Sequence, residues 1–178
     1  MSDTNKKWYM VTLIGKDRKS IVSHVTSALY QGGGNLGETS MMRLGGNFSI
    51  MMMVEFSGRA KELKDVLSSV TDSMDLHLHI DKIDAKLHEH IIPDVRISVY
   101  GADRTGIVSK VTAVLAEAGL NILDLESDVA GDKEKPIYVM HIEGKASEGF
   151  KALESALQIV KDEDDIDAEL VEIDTMIG

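Results

Sequence analysis

The sequence predicts an α+β protein of two tandem ferredoxin-like βαββαβ units, each an antiparallel sheet with both helices on one face. Three observations lead there. Residues 15–36, GKDRKSIVSHVTSALYQGGGNL, and residues 101–122, GADRTGIVSKVTAVLAEAGLNI, agree at eleven of 22 positions. Apolar periodicity switches between 2 and 3.6 in the order strand, helix, strand, strand, helix, strand, and does so twice. A repeat this long is a duplicated domain rather than a solenoid.

The elements follow in order. Tyr9–Ile14 and Val95–Tyr100 are short and rich in β-branched or aromatic residues, so each unit opens on a strand. A Gly-x-Asp-Arg turn leads into a helix with Ile21, Val22, Val25, Ala28 and Leu29 on one face, matched by Ile107, Val108, Val111, Val114 and Leu115. Gly33 and Gly119 stand where a helix ends on a left-handed residue. Second strands are expected at Leu36–Leu44 and Ile122–Val129, with glycine turns at Gly45–Gly46 and Gly131. Third strands follow at Phe48–Phe56 and Ile137–Glu143.

Second helices present Leu63, Val66, Leu67 and Val70 in one unit, and Phe150, Leu153, Leu157 and Val160 in the other. Leu76–Ile83 and Ile166–Ile173 read as closing strands. The 86-residue offset is expected to hold without a gap to Gly58/Gly144 and Ile80/Ile166. The first domain is placed at residues 1–87 and the second at 95–178. The linker between them, 88–94, carries Pro93, which cannot donate to a ladder.

The third strands also assign faces. Met52, Val54 and Phe56, aligned with Tyr138, Met140 and Ile142, should meet the helices. Met51 and Met53, with Ile137 and Val139, then lie on an open face apolar enough to suggest an interface.

Composition narrows the function. Residues 1–90 hold 11 basic and 11 acidic side chains, and residues 91–178 hold 8 and 19. The second half would be repelled by phosphates, which disfavours direct nucleic-acid binding. The absence of cysteine excludes thiol nucleophiles and zinc ribbons. No apolar run is long enough to span a bilayer, and the N-terminal stretch has no apolar core, so the chain reads as cytoplasmic.

Chemistry concentrates in the loop after each first strand. In the second unit this is Asp103, Arg104, Thr105, Gly106 and Ile107; in the first, Asp17, Arg18 and Ser20. Each loop feeds a helix N-terminus, where unpaired N–H groups and the dipole favour an anion. Asp103 suits an ammonium group and Arg104 a carboxylate, and Gly106 leaves room for close approach. Asn121 and Ile122, matched by Asn35 and Leu36, begin the next strand, and each asparagine offers a donor and an acceptor. These groups suit a zwitterion. The same aspartates, with Ser20 or Thr105, are also suited simply to cap their helices. Ser20 against Gly106 predicts unequal sites, the second unit being the better binder.

His77 and His79 alternate on one strand, with His88 and His90 in the linker. Such spacing can bind zinc or nickel, but solvated strand residues explain it as well. The methionines Met41, Met42 and Met51–Met53 read as core and interface filler. No metal or cofactor site is assigned. No nucleophile elbow, phosphate loop or dinucleotide fingerprint is present, so no enzyme activity is assigned. The alternatives are a metal-responsive or ligand-free scaffolding module and a small hydrolase of the same fold.

The Asp-Arg-x-Gly-Ile segment followed by Gly-x-Asn-Ile resembles the opening of the ACT domain. A tandem pair with no attached enzyme resembles the glycine cleavage system transcriptional repressor family. That resemblance implies sensing of an amino acid, with glycine a candidate, at interfaces between paired units of a homo-oligomer. It also implies action through a DNA-binding transcription regulator as protein partner.

Overall fold

A computed structural model describes residues 6–84, 91–102, 105–131, 136–164 and 166–173. The chain divides into two compact units, Met1–Glu89 and His90–Gly178. In the first, β1 (Lys7–Lys16), α1 (Ile21–Gln31), β2 (Asn35–Leu44), β3 (Asn47–Phe56), α2 (Ala60–Met74) and β4 (His77–Ile83) follow in order. In the second come β5 (Val95–Ala102), α3 (Ile107–Glu117), β6 (Leu120–Gly131), β7 (Pro136–Ala146), α4 (Phe150–Asp164) and β8 (Asp167–Glu172). The sheets run β2-β3-β1-β4 and β6-β7-β5-β8, with every pairing antiparallel. This is the expected α+β, ferredoxin-like arrangement. Among the described residues, no helix is long and apolar enough to cross a membrane.

Each unit has its own core. In the first, Val11, Leu13, Met52 and Val54 of the sheet pack with Val25 and Leu29 of α1 and Leu63 and Leu67 of α2. In the second, Ile97, Val99, Met140 and Ile142 pack with Val111 and Leu115 of α3 and Leu153 and Leu157 of α4. Gly33 and Gly119 have φ of 82° and 83°, as the left-handed helix endings require. The two-residue turn Gly45–Gly46, with both φ positive, closes the β2–β3 hairpin.

The repeat is not gap-free. Val11 faces Met52 on β3, while its counterpart Ile97 faces Ile142 on β7. The offset is therefore 86 up to the first hairpin and 90 beyond it. Four residues are inserted in the β6–β7 hairpin, which continues one rung further to the Gly131–Pro136 pair. The structural equivalent of Val54 is Gly144, and His77 and His79 correspond to Asp167 and Glu169. The predicted faces survive because a slip of four is even, and side-chain direction alternates with period 2. Met52, Val54 and Phe56 are buried with Tyr138, Met140 and Ile142, and Met51 and Ile137 are exposed.

Asp94 fastens the start of the second unit. Its carboxylate accepts from the Ala146 N–H at 2.9 Å and pairs with the Lys145 ammonium at 2.8 Å. The Lys145 ammonium is the main reason its pKa lies below the ordinary value of 3.8; desolvation opposes this, and the Ala146 N–H adds a smaller lowering contribution. A carboxylate with a lowered folded pKa stabilises above its unfolded value and stops doing so as pH falls through the folded one. Asp94→Asn is therefore expected to cost about 0.5–1 kcal/mol at pH 7. That difference should shrink as the pH drops below the ordinary value, read by urea unfolding of both proteins at each pH.

Candidate functional site

The first unit shows the loop in full. Lys16 ends β1, and Asp17 donates its backbone N–H to the Gly46 carbonyl at 3.0 Å. The Asp17 carboxylate pairs with Arg43 of β2 at 2.5 Å, a partner the sequence did not suggest. Arg18 and Lys19 are exposed. α1 then starts from Ser20, whose side chain makes no capping bond. His24, one turn on, donates its backbone N–H and its Nδ1–H to the Ser20 carbonyl. Neither Asp17 nor Ser20 caps this helix, so the capping alternative fails here.

In the second unit Asp103 and Arg104 lie outside the described residues. Thr105 and Gly106 are exposed, and Ile107 is half-buried. α3 begins from Gly106, which has no side chain to cap with. Gly106 has φ 91° and Ser20 has φ 69°, so both N-cap positions are left-handed. A Cβ on Gly106 would meet nothing within 4 Å. The backbone angle is thus what demands glycine here, and Ser20 holds the same angle with a side chain. Ser20→Gly is expected to stabilise the first unit by about 1 kcal/mol, and Gly106→Ser to destabilise the second by a similar amount. Urea denaturation of the two variants checks both signs.

Both loops border a cleft, on different sides of equivalent helices. In the first unit an open cleft of about 600 Å³ runs from Asp17, Arg18 and Ser20 past Thr26 of α1 to Met41 and Phe48 of the sheet. In the second, a more enclosed cleft of about 240 Å³ lies between Thr105, Gly106, Ile107 and Lys110 on one wall and Val160 and Ile166 on the other. Lys110, Val160 and Ile166 were not foreseen as lining residues. Lys110 follows the N-cap by four positions and so shares its face, a helical spacing that could have flagged it.

The asparagines are elsewhere. Asn35 pairs with Glu55, whereas the Asp17 loop adjoins the Gly46 turn and Asn47. Eight residue steps along β3 separate those ends, about 27 Å of strand. Asn121 pairs with Lys145, and Ala102 before the second loop pairs with Ile137, the same separation. Leu36 is exposed and Ile122 half-buried, each beside a β-bulge, between Leu36 and Thr39 and between Ile122 and Asp124. Within one unit, the loop and the asparagine sit at opposite ends of the sheet.

His77 and His79 are both exposed, and His79 Nε2 lies 2.9 Å from Asp81 Oδ2. His88 and His90 lie outside the described residues. Among the described residues, no group of three His, Asp or Glu side chains could hold a metal ion.

Two family models, both described as the ACT domain, match residues 8–81 and 95–162. The chain belongs to the ACT-domain family, as a tandem pair. It is 23% identical over 144 residues to the glycine cleavage system transcriptional repressor of Escherichia coli K12, covering 80% of this chain and 76% of that protein. A crystal structure of an unknown protein from Galdieria sulphuraria matches with TM-score 0.75 and 26% identity, over 94% of this chain and 99% of that one. The crystal structure of a putative glycine cleavage system transcriptional repressor matches in fold with TM-score 0.68 at 18% identity, over 94% and 98%.

Proposed function

We propose that the chain is a non-catalytic regulatory protein whose ACT units bind a small amino acid and pass occupancy to a protein partner. The observation that carries this is the start of α3 at Gly106, an N-cap residue with no side chain of its own to occupy the helix N–H groups, on the rim of the 240 Å³ cleft. Unpaired helix N–H groups attract a carboxylate, and the apolar walls Val111, Val160 and Ile166 accept a short side chain or none. Glycine is within that range. Since loop and asparagine occupy opposite ends of one sheet, Asn121 reaches such a ligand only from a second copy of the chain, which makes the working form a homo-oligomer. A ligand that binds one pairing state better than another shifts the equilibrium between them.

The partner in this reading is a DNA-binding transcription regulator, in keeping with the name of the Escherichia coli relative. The excess of acidic residues in the second half argues for protein contact over a direct grip on DNA. Thermal-shift measurements against the twenty amino acids, with and without divalent metals, test the sensing step. An amino acid that raises the transition supports it; a flat response to all twenty defeats it. Calorimetry then compares Asp17→Ala with Asp103→Ala. Greater loss from the second is expected, and equal loss removes the inequality of the sites.

A further inference from the structure

The open faces of the two sheets share one backbone plan and differ in chemistry. In the second sheet, the pairing builds cross-strand rows. One row is Asp128, Val139, Tyr100 and Asp167; the next is Glu126, His141, Ser98 and Glu169. Asp124 extends the β6 side. Carboxylates thus line both edge strands, around a centre of Val139, Tyr100, Ser98 and His141. That centre is ordered: Ser98 Oγ lies 3.0 Å from His141 Nδ1, and the Tyr100 and His141 rings meet edge to face at 6.2 Å. Arg96 and Glu143 close one end as an ion pair at 2.6 Å. Among the described residues, no cation pairs with Asp124, Glu126, Asp128 or Glu169, and Asp167 meets only Lys161, at 3.5 Å.

The duplicate acts as an internal control. At the positions equivalent to Glu126, Asp128, Asp167 and Glu169 the first sheet has Ser40, Met42, His77 and His79. The fold therefore does not require these four carboxylates, whereas the counterpart of Asp124 is also acidic, Glu38. Charge on an edge strand also guards against strand addition, but the first sheet's edges manage with no carboxylate at these four positions.

We propose that the open face of the second sheet is a docking surface for a basic amphipathic helix of a partner protein. The dimensions suit it. Edge strands of a four-stranded sheet lie about 14 Å apart, and a helix with its side chains is about 10–12 Å wide. Carboxylates along one strand recur about every 6.8 Å, close to the 6 Å between residues four apart on a helix. An apolar stripe would rest on Tyr100 and Val139 while Lys or Arg on either flank meets an acidic edge. The inference rests on the reading that the chain works through protein contact, and it is independent of amino-acid binding.

The test uses the full chain and a synthetic 18-residue helical peptide with a leucine stripe flanked by lysines, beside a scrambled peptide of equal charge. Fluorescence anisotropy should show the amphipathic peptide binding more tightly than the scrambled one. Binding should weaken at least about tenfold in a variant carrying D124N, E126Q, D128N, D167N and E169Q. Tyr100→Ser should also weaken it, and Ser40→Ala with Met42→Ala should not. Hydrogen exchange should place protection on β5 and β7. Equal binding of the scrambled peptide, protection on the first sheet, or undiminished binding to the five-fold variant overturns the proposal. So does a homodimer that the five substitutions dissociate, since a second copy would then own the face. The amino-acid response of the five-fold variant separates the two readings: if it persists while the peptide fails, only the docking face is lost.

Discussion

Adding Gly144→Val to a Leu120→Gly variant is expected to cost less than Gly144→Val alone, which should cost about 2–3 kcal/mol. The reason is an exchange of bulk between the two copies. A Cβ on Gly144 would lie 2.6 Å from the Asn121 carbonyl oxygen and 2.8 Å from Leu120 Cδ1. In the first unit the equivalent pair is Val54 and Gly34, where a Cβ on Gly34 would meet Val54 Cγ1 at 3.2 Å. One copy fills the space from β3, and the other fills it from the start of β6. Leu120 is only 6% exposed, so removing it leaves a cavity and should cost about 3–5 kcal/mol. Valine at 144 then enters the vacated volume, a coupling of about 1–2 kcal/mol between the two positions, while the contact with the Asn121 carbonyl remains. Urea unfolding of wild type, both single variants and the double variant completes the cycle. Simple additivity would show that the exchange is not what sets these two glycines.

That pair also marks where the sequence stopped being legible. The fold was readable because each helix and strand carries its own period, and the fourth element of each unit needs nothing beyond it. The offset across the β6–β7 hairpin was not, because glycines at 58 and 144 align by identity while β1 and β5 pair with residues four places apart. The open and buried faces were nonetheless read correctly, since an even slip keeps alternation. The site was half legible. Sequence spacing places the loop at a helix start and the asparagine at a strand start, but only strand pairing reveals that these are opposite ends of a sheet. Nor does sequence report that Ser20 adopts the left-handed conformation or that Asp17 finds Arg43, because both depend on how the loop meets the hairpin.

Leu67→Ala and Leu157→Ala are expected to unfold different halves of the chain. The two leucines are equivalent under the 90-residue offset, 0% and 3% exposed, and each belongs to the core of its own unit alone. Losing three buried carbons while the surrounding backbone holds its place should cost about 2–5 kcal/mol in either case, a large part of the stability of a domain this size. Each core cluster draws every member from one unit, so the loss should stay where the cavity is. Hydrogen exchange in Leu67→Ala should rise across β1 and β3 with β5 and β7 protected, and the reverse is expected for Leu157→Ala. Exchange rising equally in both halves would mean that the units unfold as one. The second variant also reports on binding. Leu157 lies one turn before Val160, which lines the 240 Å³ cleft. An amino acid held there binds only the folded second unit, and at a hundredfold excess over its dissociation constant returns about 2.7 kcal/mol. Such a ligand should rescue Leu157→Ala and leave Leu67→Ala unchanged, whereas rescue of Leu67→Ala alone would move the site to the first unit.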